Sequence, residues 1–102
     1  DQLRGGVMNA VRGEVVAELA GAERRLCLTL GALAEMEARL GVDGFAGLAE
    51  RMRTLSARDL TVVLKALLRG GGEHELADGL ERAAVDPREA AEAVARAFSA
   101  AA

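Results

Sequence analysis

Few side chains in this sequence have the chemistry to act on a substrate. His74 is the one histidine and Cys27 the one cysteine. His74 lies between Glu73 and Glu75. Neighbouring side chains on a helix diverge by about 100°, so these three cannot close on one ion. As a general base, His74 would need a nucleophile nearby, and Ser56, Ser99 and Cys27 are all distant in the chain. It reads as a solvated histidine at a helix start. Cys27 falls on a strand with Arg25 on the same face. Thiol reactivity usually needs a helix N-terminus or an adjacent cation. Cys27 reads instead as a small, moderately apolar residue covered when a partner docks. Gly70-Gly71-Gly72 could cradle a phosphate, but no Gly-Lys-Ser/Thr follows and no strand precedes it. It reads as a helix stop and connector. Glu35, Glu37, Glu81, Glu89 and Glu92 have arginines interleaved among them, the pattern of solvated helix faces. No two carboxylates sit isolated in apolar sequence, the setting that raises a pKa for catalysis. The expectation is a non-enzyme with no catalytic, cofactor or metal site.

Composition points the same way. A chain of 102 residues, 51% hydrophobic and 28% charged, is one globular domain with a modest core. Only Phe45 and Phe98 are aromatic, so Leu, Val, Ala and Met must build that core. A net charge of -3 with both signs interspersed lacks the clustered cations and aromatic platforms of a nucleic-acid surface. No apolar run approaches the roughly 18 residues of a membrane span. A single cysteine fits a reducing cytoplasm. Residues 1–9, with adjacent glycines and no periodicity, read as a flexible arm or as an expression remnant ahead of Met8. Residues 10–102 then form a single domain.

The elements that must position these residues are legible from period. Residues 11–30 predict a β-hairpin. Val11, Val15, Ala17 and Leu19 share one face, and Arg12, Glu14, Val16 and Glu18 share the other. Leu26, Leu28 and Leu30 alternate with Arg25, Cys27 and Thr29 on the second strand. A type II′ turn at Gly21-Ala22 pairs Ala17 with Leu26 and Val15 with Leu28 inside. Outside, that register pairs Glu18 with Arg25 and Val16 with Cys27.

From Gly31 the period becomes helical. Leu33, Met36 and Leu40 lead to a stop at Gly41, with Glu35 and Arg39 as an i,i+4 ion pair. Phe45, Leu48, Ala49 and Met52 predict a second helix. Ser56 to Asp59 has the form of a capping box, with Ser56 as N-cap. The stripe Leu60, Val63, Leu64, Leu67 and Leu68 predicts the central helix, ended by the triple glycine. A weaker helix is predicted from Glu73 to about Ala84. Asp86-Pro87-Arg88-Glu89 starts the last one, with Ala90, Val94, Ala97 and Phe98 on its apolar stripe. The fold class is α+β: an N-terminal two-stranded hairpin packed on a bundle of four to five short helices.

Two strands have two edges, each with unsatisfied backbone groups, and no other segment reads as a strand. Charged residues there discourage indiscriminate pairing while permitting specific strand addition. The expected partner-binding residues are Val11, Glu14, Val16, Glu18, Arg25 and Cys27.

A resemblance joins these observations. Val11-Arg12-Gly13-Glu14-Val15, then Leu26-Cys27-Leu28-Thr29-Leu30-Gly31-Ala32-Leu33-Ala34-Glu35-Met36-Glu37, resembles the small tail-assembly protein encoded in alphaproteobacterial gene transfer agents and related prophages. Leu55-Ser56-Ala57-Arg58-Asp59-Leu60 and Leu68-Arg69-Gly70-Gly71-Gly72 extend the likeness over about residues 8–98. Relatives often follow the triple glycine with a histidine and a Ser/Thr cap, where this chain has Glu73-His74-Glu75. That departure blurs the start of the fourth helix. The family is described both as a tail assembly chaperone and as a tail tube protein, and it transfers no catalytic residue. The resemblance implies a non-enzymatic protein that binds the tape-measure protein or tail tube subunits, with homo-oligomerisation possible. It implies residence in the cytoplasm during assembly, or in the virion-like particle. The alternatives are a tube component retained in the particle and an unrelated small protein-binding adaptor.

Overall fold

The computed structural model describes residues 13–101. The predicted arm 1–9 and Val11 lie outside the described residues. The order is β1 (Glu14–Leu19), β2 (Ala22–Cys27), α1 (Leu30–Leu40), α2 (Gly44–Met52), α3 (Ala57–Gly70), α4 (His74–Asp78), a 3-10 turn (Leu80–Arg82) and α5 (Pro87–Ala101). The class is α+β, with one antiparallel two-stranded ribbon and five helices.

The hairpin turns one residue earlier than predicted. Ala20 (φ 53) and Gly21 (φ 82) are both left-handed, which is the type I′ pattern. An L-residue in that region costs about 1 kcal/mol. The register slips by two and sets Val15 opposite Leu26, Ala17 opposite Arg24 and Leu19 opposite Ala22. The predicted pairs Glu18–Arg25 and Val16–Cys27 do not form. Glu18 faces Glu23, Val16 faces Arg25 and Glu14 faces Cys27. A slip of two returns every side chain to its expected face, because strand side chains repeat at period two. The price is a like-charge cross-strand pair. In return Leu19 and Leu26 are almost fully buried, and the Arg24 guanidinium donates to the carbonyls of Leu19 (2.9 Å) and Ala20 (3.2 Å).

The second strand also stops short of Leu30. Thr29 leaves the strand to cap α1, and its hydroxyl accepts from the Ala32 N–H at 3.0 Å. Leu30 becomes the first helical residue and is 82% exposed. Gly41 (φ 71) ends α1 as predicted. In α2 only Leu48 is buried. Phe45 is exposed, which corrects its place on the expected core stripe.

Ser56 caps α3, its hydroxyl accepting from the Asp59 N–H at 3.1 Å. Asp59 does not reciprocate and instead accepts from Arg51 Nε at 2.9 Å. Val63, Leu64, Leu67 and Leu68 are buried as predicted, and α3 contacts α1, α4, α5 and β2. Each such leucine contributes about 1.5–3 kcal/mol on full burial. The helix closes in a Schellman motif. Gly72 N–H reaches the Arg69 carbonyl and Glu73 N–H reaches that of Leu68, with Gly72 left-handed (φ 89). The predicted fourth helix breaks at Gly79 into α4 and the 3-10 turn, while Leu76 and Leu80 stay buried. The Asp86 carboxylate accepts from the Arg88 N–H at 2.7 Å at the head of α5, where Pro87 takes the first helical position.

Candidate interaction surface

The two rims of the ribbon differ. Beside a two-residue turn, Leu19, Ala17 and Val15 spend their backbone groups on β2, and Glu18, Val16 and Glu14 point theirs away. On β2 the outward groups belong to Glu23, Arg25 and Cys27. The end of α3 lies directly against that rim. A Cβ at Gly70 would collide with the Cys27 carbonyl, and one at Gly71 with that of Arg25. Only glycine allows this approach. The outward N–H of Arg25 donates to Glu73 Oε2 at 3.0 Å. The other Glu73 oxygen lies 3.9 Å from the Arg24 guanidinium. The β2 rim is therefore covered by the protein itself.

Beside β1, α5 packs along the strand and sets Ala101 against Gly13, and among the described residues it makes one side-chain hydrogen bond to the outward backbone groups of the rim. Arg96 Nη2 donates to the Val16 carbonyl at 3.0 Å. Around that point Glu18, Glu23 and Arg25 are exposed and Glu14 is half-buried. Val16 is 45% exposed, an apolar side chain amid charges.

The structure thus brings Glu14, Val16, Glu18 and Arg25 onto one face. Cys27 does not join them. It has the outward parity but is 1% exposed, where the end of α3 arrives. Burial raises its thiol pKa, and the nearby Glu14 charge adds to this, so the thiolate is disfavoured. Arg96 and Glu73 are the rim residues that sequence reasoning missed. Arg96 carries no signal beyond its place on the polar face of an amphipathic helix. Glu73 could have been suspected, since it follows a helix stop that must meet another element.

Elsewhere, a cavity of about 350 Å³ between α3, the 3-10 turn and α5 is lined mainly by Leu60, Leu64, Leu80, Val85, Pro87 and Ala90. Its polar lining is Thr61 and Glu81, and Glu81 is held by Lys65 at 2.6 Å. His74 is exposed at the first position of α4. Among the described residues no group of three or more His, Cys, Asp or Glu could hold a metal ion, and no helix is long and apolar enough to cross a membrane.

The described residues form a small α+β domain whose ribbon meets the end of α3 along its β2 rim and packs beside α5 along β1. The chain belongs to the family described as phage tail tube protein, GTA-gp10, whose model matches residues 12–102. No curated protein and no solved structure matches it. The resemblance drawn from the sequence is thereby confirmed at the level of a gene transfer agent or phage tail family. The unrelated-adaptor alternative falls.

Proposed function

We propose that this protein is a non-enzymatic tail assembly chaperone. It binds the tape-measure protein or tail tube subunits in the cytoplasm and keeps them soluble until tail polymerisation begins. The observation that carries this reading is the asymmetry of the ribbon. The end of α3 lies against the β2 rim through two glycines and a carboxylate, whereas α5 packs beside β1 and, among the described residues, bonds the outward backbone of that rim through Arg96 alone. An edge kept in this state, beside an exposed Val16 and among charges, suits reversible strand addition by a chosen partner. Glu14, Val16, Glu18 and Arg25 form the contact face. Co-expression with the tape-measure protein encoded alongside tests it. A co-purifying complex and a gain in that protein's solubility are expected, and unchanged solubility with no complex would sink the reading.

A second reading follows from the family's description as a tail tube protein: the chain is a tube component retained in the particle. Mass spectrometry of purified particles separates the two. Stoichiometric recovery favours the component, and absence favours the chaperone.

A further inference from the structure

The aliphatic cavity at the head of α5 offers two polar groups, one already neutralised by Lys65, and nothing indicates its occupant. Phe45 and Leu30 are exposed on different helices, α2 and α1, and nothing in the structure indicates what would cover them. The β1 rim is different, because its backbone pattern and its side-chain charges together specify a ligand.

We infer that the β1 rim accepts an extended segment carrying cation–x–aliphatic–x–cation, where the aliphatic residue lies opposite Val16 and the cations lie opposite Glu14 and Glu18. This rests on the reading of that rim as the partner-binding edge. The outward backbone groups of β1 belong to Glu14, Val16 and Glu18. A strand added there forms its close hydrogen-bonded pairs with those three residues. The side chains opposite them must project on the same outer face. That face reads acid, aliphatic, acid along β1, with Glu23 opposite Glu18 and Arg25 opposite Val16, so the face carries three carboxylates to one cation across the ribbon. Among the described residues, no ion pair joins Glu14, Glu18 or Glu23 to a cation. The added strand is antiparallel, the direction in which the residue opposite Val16 turns its own N–H and carbonyl toward the rim.

The same pattern argues against a second copy of this chain as the occupant. Laying β1 antiparallel on β1 in full overlap about Val16 sets Glu14 against Glu18 twice, and like charges directly opposite are destabilising. Arg96 is the gate. Its bond to the Val16 carbonyl must yield to the incoming N–H, and its guanidinium is exposed and able to swing away.

The test uses capped peptides titrated into the full isotope-labelled chain. One carries lysine–threonine–valine–threonine–lysine and the other has glutamate in place of both lysines. The lysine peptide should shift the amides of residues 14–18 and bind about ten-fold tighter than its acidic counterpart, as two cross-strand pairs change from opposite to like charge. Glu14→Lys/Glu18→Lys should invert that preference. N-methylation of the peptide valine deletes a rim bond without touching charge and should abolish binding. Equal affinity for both peptides, shifts confined to other residues, or indifference to N-methylation would each overturn the inference. The same double variant in the tape-measure co-purification separates the two readings. Capture that survives charge reversal overturns the motif and leaves the chaperone reading intact. Absence of capture by the wild-type chain sinks the chaperone reading.

Discussion

The Glu73 carboxylate accepts the outward backbone N–H of Arg25 at 3.0 Å, across a sequence separation of 48 residues. This bond finishes one edge of the ribbon with a side chain from the far end of α3. Glu73→Ala removes the acceptor and should lower stability by about 1 kcal/mol. Hydrogen exchange at the Arg25 amide should accelerate, while that at Leu26 should hardly change. Urea denaturation and exchange by NMR check both. Unchanged protection at Arg25 would show that the bond does not close this rim.

The glycines at the end of α3 should divide by cause. Gly70→Ala and Gly71→Ala place a methyl against backbone carbonyls of β2 that cannot rotate away. Each should cost about 2–4 kcal/mol. Gly72 has a positive φ but open space around it, so Gly72→Ala should cost only about 1 kcal/mol. At the other end of the scale, Gly31 lies in the first turn of α1 with nothing closer to an added Cβ than Thr29 Oγ1 at 3.9 Å. Gly31→Ala should be neutral to stabilising by about 0.5 kcal/mol. Denaturation midpoints for the four variants check the order.

Acid should weaken the fold in a predictable window. The hydrogen bond from Arg51 holds the Asp59 carboxyl below its ordinary range, and the one from Lys65 does the same for Glu81. A carboxylate with a lowered folded pKa contributes stability above its unfolded pKa and loses it as pH falls through the folded value. The wild-type chain should therefore exceed Asp59→Asn/Glu81→Gln in stability at neutral pH. The gap should close as pH drops below about 4. Parallel urea melts from pH 7 to pH 3 measure it, and a gap that stayed constant would refute the assignment.

Cys27 should be inert in the folded chain. It is buried and its thiol pKa is raised, so alkylation should be slow and limited by opening of the structure. Mass spectrometry after timed iodoacetamide exposure, with and without denaturant, checks this.

Phe45 offers a contrast with the core. Phe45 is 62% exposed, so Phe45→Ala should change stability by less than about 1 kcal/mol. Leu64→Ala, at the centre of α3, should cost about 2–5 kcal/mol.

Much of this architecture was legible before any coordinates. The α3 stripe, the Ser56 and Asp86 caps and the Gly41 stop are local signals that tertiary structure had no reason to override. Hairpin existence and face assignment were also legible, because alternation fixes faces whatever the register. The register itself was not. Local logic favoured a glycine at the first turn position and an attractive Glu18–Arg25 pair. The fold accepts a left-handed Ala20 and the Glu18–Glu23 pair instead, and in that register Arg25 and Cys27 lie with their backbones along Gly70 and Gly71. Leu30 left its expected environment because Thr29 is used as a helix cap, which ends the strand early, and Cys27 left its own because the end of α3 lies against it. Arg96 was invisible because it acts on a strand far away in sequence, and Glu73 offered only its place after a helix stop.

The glycine-lined approach of α3 has a bearing on stoichiometry. A two-stranded ribbon open at both margins could be threaded into an endless stack, each molecule serving as acceptor on one side and donor on the other. With one margin occupied from within, strand addition of the kind proposed would end after a single strand. Such a complex would hold one partner segment per molecule, a valence that would permit handover without seeding a fibre.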